Sequence, residues 1–298
     1  MNPKVSICIA TYNRKNYLRQ TLDSVYAQTY KDYEVVVVDD GSTDGTENAV
    51  KSAGYKNLRY YWQENIGEAA TRNRLIKLAQ GKFVTFVDSD DLLMPDTVER
   101  MVKAAEAETD DVIVYGPYFR IDQDGKVYGR CKRKLYSGYI TKYLFQNIFI
   151  HSCGSMFPKR VVEQAGGFDE SLRVCTDYDL WLRLSLKYRF IALPEPTFKR
   201  RRHSTNLSCL CAKNQLVELH VLERFFYQKG GDAVVPRRIA MRRLGREEYR
   251  VGKYALKEKD LDTAVRYLRK SFYRCPNPKV LLLWIFSGLK QALSGKIL

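Results

Sequence analysis

No glycine follows the first apolar run of this chain: Val5–Ala10 leads into Thr11-Tyr12-Asn13-Arg14. A dinucleotide-binding strand needs a Gly-x-Gly turn there to bring its backbone against a pyrophosphate, so a dehydrogenase is argued against. A long apolar run is also missing. The one near the end, Val280–Leu289, is about ten residues and includes Ser287 and Gly288, whereas a spanning helix needs about twenty. With Lys279, Lys290 and Lys296 around it, this stretch fits a helix among lipid headgroups or a packed terminal helix. Seven cysteines, odd in number and scattered, make no disulfide framework. Cys209 and Cys211 have no second pair at zinc spacing, so packing is their expected use. Met1-Asn2-Pro3-Lys4 runs into a strand without a signal-peptide pattern, and the expected compartment is the reducing cytoplasm.

Acidic charge is short as well, 34 Asp+Glu against 50 Lys+Arg, and the deficit is local. Residues 1–110 carry 14 basic and 17 acidic side chains; residues 111–298 carry 36 and 17. A basic face of that size calls for an anionic partner, whether phospholipid headgroups, nucleic acid or a phosphate-bearing substrate, unless it is simply solvated.

What is present is alternation. Apolar runs at Val5–Ala10, Tyr33–Val38, Leu58–Trp62, Phe83–Val87 and Val112–Tyr115 are separated by segments of helical periodicity, with Tyr17, Leu18, Leu22 and Val25 on one face of the first. This predicts βαβ units and an α/β fold with a mostly parallel, covered sheet. Asp122-Gln123-Asp124-Gly125 signals a hairpin, after which strands mix with helices up to Pro194-Glu195-Pro196. From about Cys211 the chain reads helical. Segments 247–259 and 260–273 resemble one tetratricopeptide-type helix pair, and Pro276 and Pro278 open a further helix.

The strand Val84–Val87 ends in Asp88-Ser89-Asp90-Asp91, three carboxylates with no basic residue among them. Such a cluster repels itself unless a cation or hydrogen-bond donors gather there, and hard divalent cations favour carboxylate and phosphate oxygens. The alternative is that these acids cap a helix beginning near Pro95. The second strand ends in Asp39-Asp40-Gly41-Ser42-Thr43-Asp44, where a carboxylate can meet a base or ribose while Ser42 or Thr43 caps the next helix.

Taken together, residues 5–14 (Val-Ser-Ile-Cys-Ile-Ala-Thr-Tyr-Asn-Arg), residues 37–46 (Val-Val-Asp-Asp-Gly-Ser-Thr-Asp-Gly-Thr), Asn65-Ile66-Gly67 with Thr71-Arg72-Asn73, Asp88-Ser89-Asp90-Asp91, Gly166-Gly167-Phe168-Asp169-Glu170 and the run Asp177 to Arg183 resemble family 2 glycosyltransferases. The resemblance runs in order from about residue 3 to 208. It implies a GT-A fold, Rossmann-like, with a mixed sheet sandwiched by helices over residues 1–210, divided into a nucleotide-binding half (1–110) and an acceptor half (111–210). Residues 211–298 are then a helical C-terminal extension.

The implied activity is inverting transfer of a sugar from a nucleotide-sugar, most often a UDP-sugar, to a glycan or lipid-linked acceptor, as in cell-surface polysaccharide synthesis. Carried over by position, Thr11 lies against the nucleotide, Asp40 contacts uracil, Arg72 positions the nucleotide end and Asp88 faces the ribose. Asp90 holds Mg²⁺ or Mn²⁺ and His203 completes the metal shell, with the arginines of Lys199-Arg200-Arg201-Arg202-His203 gripping phosphate. Asp177 is the implied base, with Thr176 where the family usually has glutamate; a helix start at Thr176 is the competing reading. Asp179 is expected to face solvent or Arg183, and His151 to line the acceptor cleft.

The Gln-x-x-Arg-Trp motif of processive members is absent, so one sugar per encounter is expected. The implied partners are the donor, the acceptor and an anionic membrane surface at the inner face, with homo-oligomer formation through the tail also open. Two rival readings stay open, a sugar-nucleotide pyrophosphorylase, disfavoured by the lack of a Gly-rich basic loop at residues 10–16, and a non-catalytic basic module binding lipid or nucleic acid.

Overall fold

The computed structural model describes residues 2–203 and 211–294. The chain opens with β1 (Val5–Thr11), α1 (Lys15–Tyr26), β2 (Tyr33–Asp39), α2 (Thr46–Ser52), β3 (Leu58–Trp62), α3 (Glu68–Leu78) and β4 (Phe83–Phe86). Next come the two-residue β5 (Leu92–Leu93), α4 (Thr97–Glu106), β6 (Val112–Tyr115) and the hairpin β7 (Tyr118–Ile121) and β8 (Val127–Arg130). Then follow α5 (Thr141–Gln146), β9 (Ser155–Pro158), α6 (Lys159–Gln164), α7 (Thr176–Ser185), β10 (Arg189–Ala192) and β11 (Phe198–Arg201). The later described residues form α8 (Ala212–Gln228), a 3₁₀ turn, α9 (Arg237–Lys257), α10 (Leu261–Arg274) and α11 (Pro278–Ser294).

The chain divides into two units, Met1–Ile140 with Phe149–Thr205, and Thr141–Ile148 with Asn206–Leu298. The first is built on a seven-stranded sheet in the order β10-β6-β9-β4-β1-β2-β3, parallel except for β9. Val35 to Val38 are fully buried, because a parallel strand covered on both faces leaves no polar side to alternate with. Leu18, Leu22 and Val25 of α1 join this core, whereas Tyr17 turns out of it toward His203. The strand order reverses at β1, so the carboxyl ends of β1, β2 and β4 surround the crevice where open α/β sheets take their ligands. A smaller sheet, β5-β11-β7-β8, brings residues 198–201 alongside Leu92 and Leu93.

In the helical unit Phe145 of α5 packs on Phe225 and Phe226, each at 6.0 Å between ring centroids. Helix α9 starts at Arg237, ten residues before the helix expected at 247. Its buried face alternates apolar with charged residues: Arg243, at 4% exposure, pairs with Glu247 and Glu218, and Glu248 pairs with Arg274. Buried ion pairs break the apolar periodicity by which a helix is recognised. Asp260 caps α10 by accepting from the Thr263 N–H at 3.0 Å. Cys209 lies outside the described residues; the six described cysteines are free thiols. No described helix is long and apolar enough to cross a membrane.

Candidate active site

The three carboxylates after β4 diverge. They do not cap α4, whose N-cap is Asp96. Asp91 turns inward, 2% exposed, and accepts the Arg201 N–H at 2.8 Å, fastening β11 to the turn. Asp90 accepts a hydrogen bond from the Nε2 of His203 at 2.8 Å, and the His203 ring stacks on Tyr17 at 5.0 Å. Asp88 keeps 43% of its side chain accessible. Crowding by protein atoms, then the charges of Asp90, Glu68 and Asp177, push its carboxyl up to about 6 against the pull of Arg72.

Arg72 joins these acidic groups. Its guanidinium, 7% exposed, reaches Asp88 at 3.0 Å and Glu68 at 2.7 Å, and lies over the rings of Phe168 (5.4 Å) and Phe86 (5.8 Å). It therefore holds Asp88 in place. Asp177 is the second residue of α7, after an N-cap, Cys175, held at φ 61°. Thr176 is thus inside the helix and does not cap it. The Tyr178 N–H donates to the Asp177 carboxylate at 2.8 Å. Burial raises Asp177 above the ordinary carboxylate range, and Glu68 adds to this, while Arg72, the Tyr178 N–H and Arg200 pull the other way. Asp179 is buried and bound to Arg183 at 2.8 Å.

A clasp links α3 to the loop before α7. Asn73 accepts the Phe168 N–H at 2.8 Å and donates to the Phe168 carbonyl at 2.9 Å and to Glu170 at 2.7 Å. Gly167 sits at φ 70°, and a Cβ there would come within 2.5 Å of the Asn73 side-chain oxygen, so only glycine fits. Arg183 grips the same loop through the carbonyls of Ala165 and Gly167.

At the end of β2, Asp40 closes a loop. Its carboxylate accepts from Gln63 at 2.7 Å and from the N–H groups of Ile66 (2.9 Å) and Gly67 (3.0 Å). A carboxylate has about four acceptor positions, so about one remains for a ligand. Asp39 is fully buried, accepting from Ser42 N–H and the Tyr60 hydroxyl. Ser42 accepts from Asn13 and does not cap α2, whose N-cap is Gly45. The Thr11 hydroxyl is buried and has no hydrogen-bond partner among the described residues.

The basic run 199–203 divides by strand alternation. Arg201 is 1% exposed, bonds the carbonyls of Asp90 and Gln123 and the side chain of Gln20, and lies over Tyr17 at 4.8 Å. It is structural and cannot grip a phosphate, contrary to the expectation for this run. Arg200, the next residue back, lies over Tyr118 at 5.9 Å. Burial works against its charge, but Tyr118, Asp91 and Asp88 keep it protonated, and it also acts on Asp177. His151 meets Tyr118 edge-on at 4.9 Å, with its Nε2 buried and without a hydrogen-bond partner among the described residues; burial, then Arg200, Arg133 and Arg202, keep it neutral.

No group of three His, Cys, Asp or Glu side chains able to hold a metal is assembled among the described residues. Asp90 and His203 nevertheless supply an oxygen and a nitrogen donor side by side, a set that suits a divalent cation completed by phosphate oxygens and water. Sequence reasoning missed Glu68, the choice among the arginines, and the Asn73 clasp. Only the clasp had a signal, the motif Thr71-Arg72-Asn73.

The sequence pattern of Glycosyl transferase family 2 matches residues 6–166. An uncharacterized glycosyltransferase of Rickettsia typhi is 35% identical over 233 residues, covering 76% of this chain and 73% of that protein. Staphylococcus aureus TarS 1–349, solved with UDP-GlcNAc, matches with a TM-score of 0.67 at 19% identity over 94% of this chain and 83% of its own. A mannosyltransferase of Pyrobaculum calidifontis, solved with GDP-Man and Mn²⁺, matches at 0.62 and 21% identity over 98% and 81%. At such identity these two structures speak for the fold, which is GT-A.

Proposed function

The chain belongs to glycosyl transferase family 2, and from that premise we propose that it is an inverting, metal-dependent glycosyltransferase. It moves one sugar per encounter from a nucleotide-sugar, a UDP-sugar in this reading, to a glycan or lipid-linked acceptor in cell-surface polysaccharide synthesis. Residues 1–210 form the transferase domain and 211–298 its helical extension. The observation that carries the reading is the buried Arg72 guanidinium, paired with Asp88 at 3.0 Å and within electrostatic reach of Asp177 at the start of α7.

Asp177 takes the proton of the acceptor hydroxyl as its oxygen bonds to the anomeric carbon; the bond from that carbon to the diphosphate oxygen breaks, and its electron pair leaves with the nucleoside diphosphate. A divalent cation, Mn²⁺ or Mg²⁺, bound by Asp90 and His203 would neutralise that departing charge. In this reading Arg200 binds the diphosphate, supported by its charge, which Tyr118, Asp91 and Asp88 sustain. The buried Thr11 hydroxyl takes a hydrogen bond with the nucleotide. Asp40 shapes the 65–67 loop beside uracil, and Arg72 holds Asp88 toward the ribose.

Purified protein incubated with UDP-sugars, Mn²⁺ and candidate acceptors is expected to release UDP. Full turnover in an Asp90→Ala variant, or calorimetry showing no metal-dependent UDP binding, would overturn the reading.

A further inference from the structure

Helix α11 has two apolar faces, and among the described residues only one of them is packed. Val280 and Ser287 of α11 are buried, and Trp284 meets Phe272 at 5.9 Å and Tyr273 at 5.8 Å, so this side packs on α10. The other side presents Leu282, Ile285, Phe286, Leu289 and Leu293, exposed by 69, 51, 48, 60 and 64%. At about 100° per residue these five fall within an arc of about 100°, a continuous stripe rather than scattered surface residues.

The stripe is bordered by positive charge. Lys279 and Lys290 lie along one edge of it, and the Lys290 ammonium lies 4.7 Å from the Phe286 ring centroid. On α10, Arg266, Arg269 and Lys270 are exposed. Residues 261–294 hold six Lys or Arg and a single acid, Asp262, which is bonded to Gln291.

We propose that the outer face of α11, with the basic face of α10, docks on the surface of an anionic phospholipid bilayer. Apolar side chains enter the headgroup boundary while lysines and arginines meet lipid phosphates, as in helices that lie in the interface plane. Charge selects this occupant over a second copy of the chain, which would bring two such basic segments together. The inference rests on the helical unit alone and is independent of the transferase reading.

Sedimentation of the full chain with vesicles tests it. Binding to phosphatidylcholine vesicles containing anionic phosphatidylglycerol is expected to be at least about tenfold tighter than to phosphatidylcholine alone, and to weaken with salt. The double variant Leu282→Ser/Leu289→Ser is expected to lose at least about tenfold in affinity for the anionic vesicles. Both positions are exposed, so its thermal melting should match that of the parent chain. Equal binding to both vesicle types, undiminished binding by the double variant, or a dimer in ultracentrifugation that the double variant dissolves would overturn the proposal.

Discussion

Replacing Asp177 by Asn isolates the proton transfer with little disturbance of the fold. The amide keeps an oxygen for the Tyr178 N–H, which lies 2.8 Å from the native carboxylate, so the start of α7 is preserved. It cannot accept a proton from the acceptor hydroxyl. General-base assistance is worth about 10²- to 10⁴-fold, which at about 1.4 kcal/mol per decade is about 3–5 kcal/mol of barrier. Stability should move the other way. Burial holds the native carboxyl above its ordinary range, so at neutral pH ionisation of Asp177 is less favourable in the folded chain than in the unfolded one. Asn removes that cost, and the melting temperature is expected to stay level or rise.

The pH dependence has a fixed sign, since the base acts only when ionised: kcat/KM of the parent enzyme rises with pH through a pKa above the usual carboxylate range. This limb is expected to vanish from the residual rate of the variant. Steady-state UDP release at saturating acceptor measures both, with donor KM unchanged because the lost interaction belongs to the transition state. A variant kcat within tenfold of the parent, or a donor KM that worsens as much as kcat, would refute the base assignment.

Adjacent arginines should behave oppositely. Arg201→Met removes a buried guanidinium and its bonds to the part-buried carbonyls of Asp90 and Gln123, and is expected to cost about 3 kcal/mol in chemical denaturation. Arg200→Met should leave the melting temperature nearly unchanged and raise the UDP-sugar KM about tenfold. Asp40→Ala leaves the Ile66 and Gly67 N–H groups unpartnered and is expected to lower stability by about 2–3 kcal/mol. His203→Ala should weaken Mn²⁺-dependent UDP binding in calorimetry by about 10- to 100-fold.

The inner parallel strands were legible in the sequence because burial on both faces makes them unbroken apolar runs between turn residues, and half-buried β3 at the sheet edge by its aromatic run; the five expected strands form with ends within one residue. GT-A architecture followed from the order of the motifs. Harder to read was anything decided by a distant partner. Asp40 is adjacent to Asp39 in the chain, but the loop that occupies its carboxylate returns from 26 residues away. Arg200 and Arg201 are equivalent in composition, and alternation says only that they face opposite sides of β11; the pairing with β5 and β7 decides which side is the crevice. The early start of α9 was hidden because Arg243, Glu247 and Glu248 occupy positions where a periodicity reading expects hydrocarbon.

The clasp of Asn73 on Phe168 constrains anyone who would re-engineer this enzyme. The segment 165–175 looks like a free-standing cassette, ready to be exchanged with that of a relative to alter acceptor choice. It is instead keyed to a residue almost a hundred positions upstream and to a glycine that tolerates no side chain. A chimera that transplants the cassette without its matching residue 73 would lose these bonds beside Arg72, the preceding residue of the same helix.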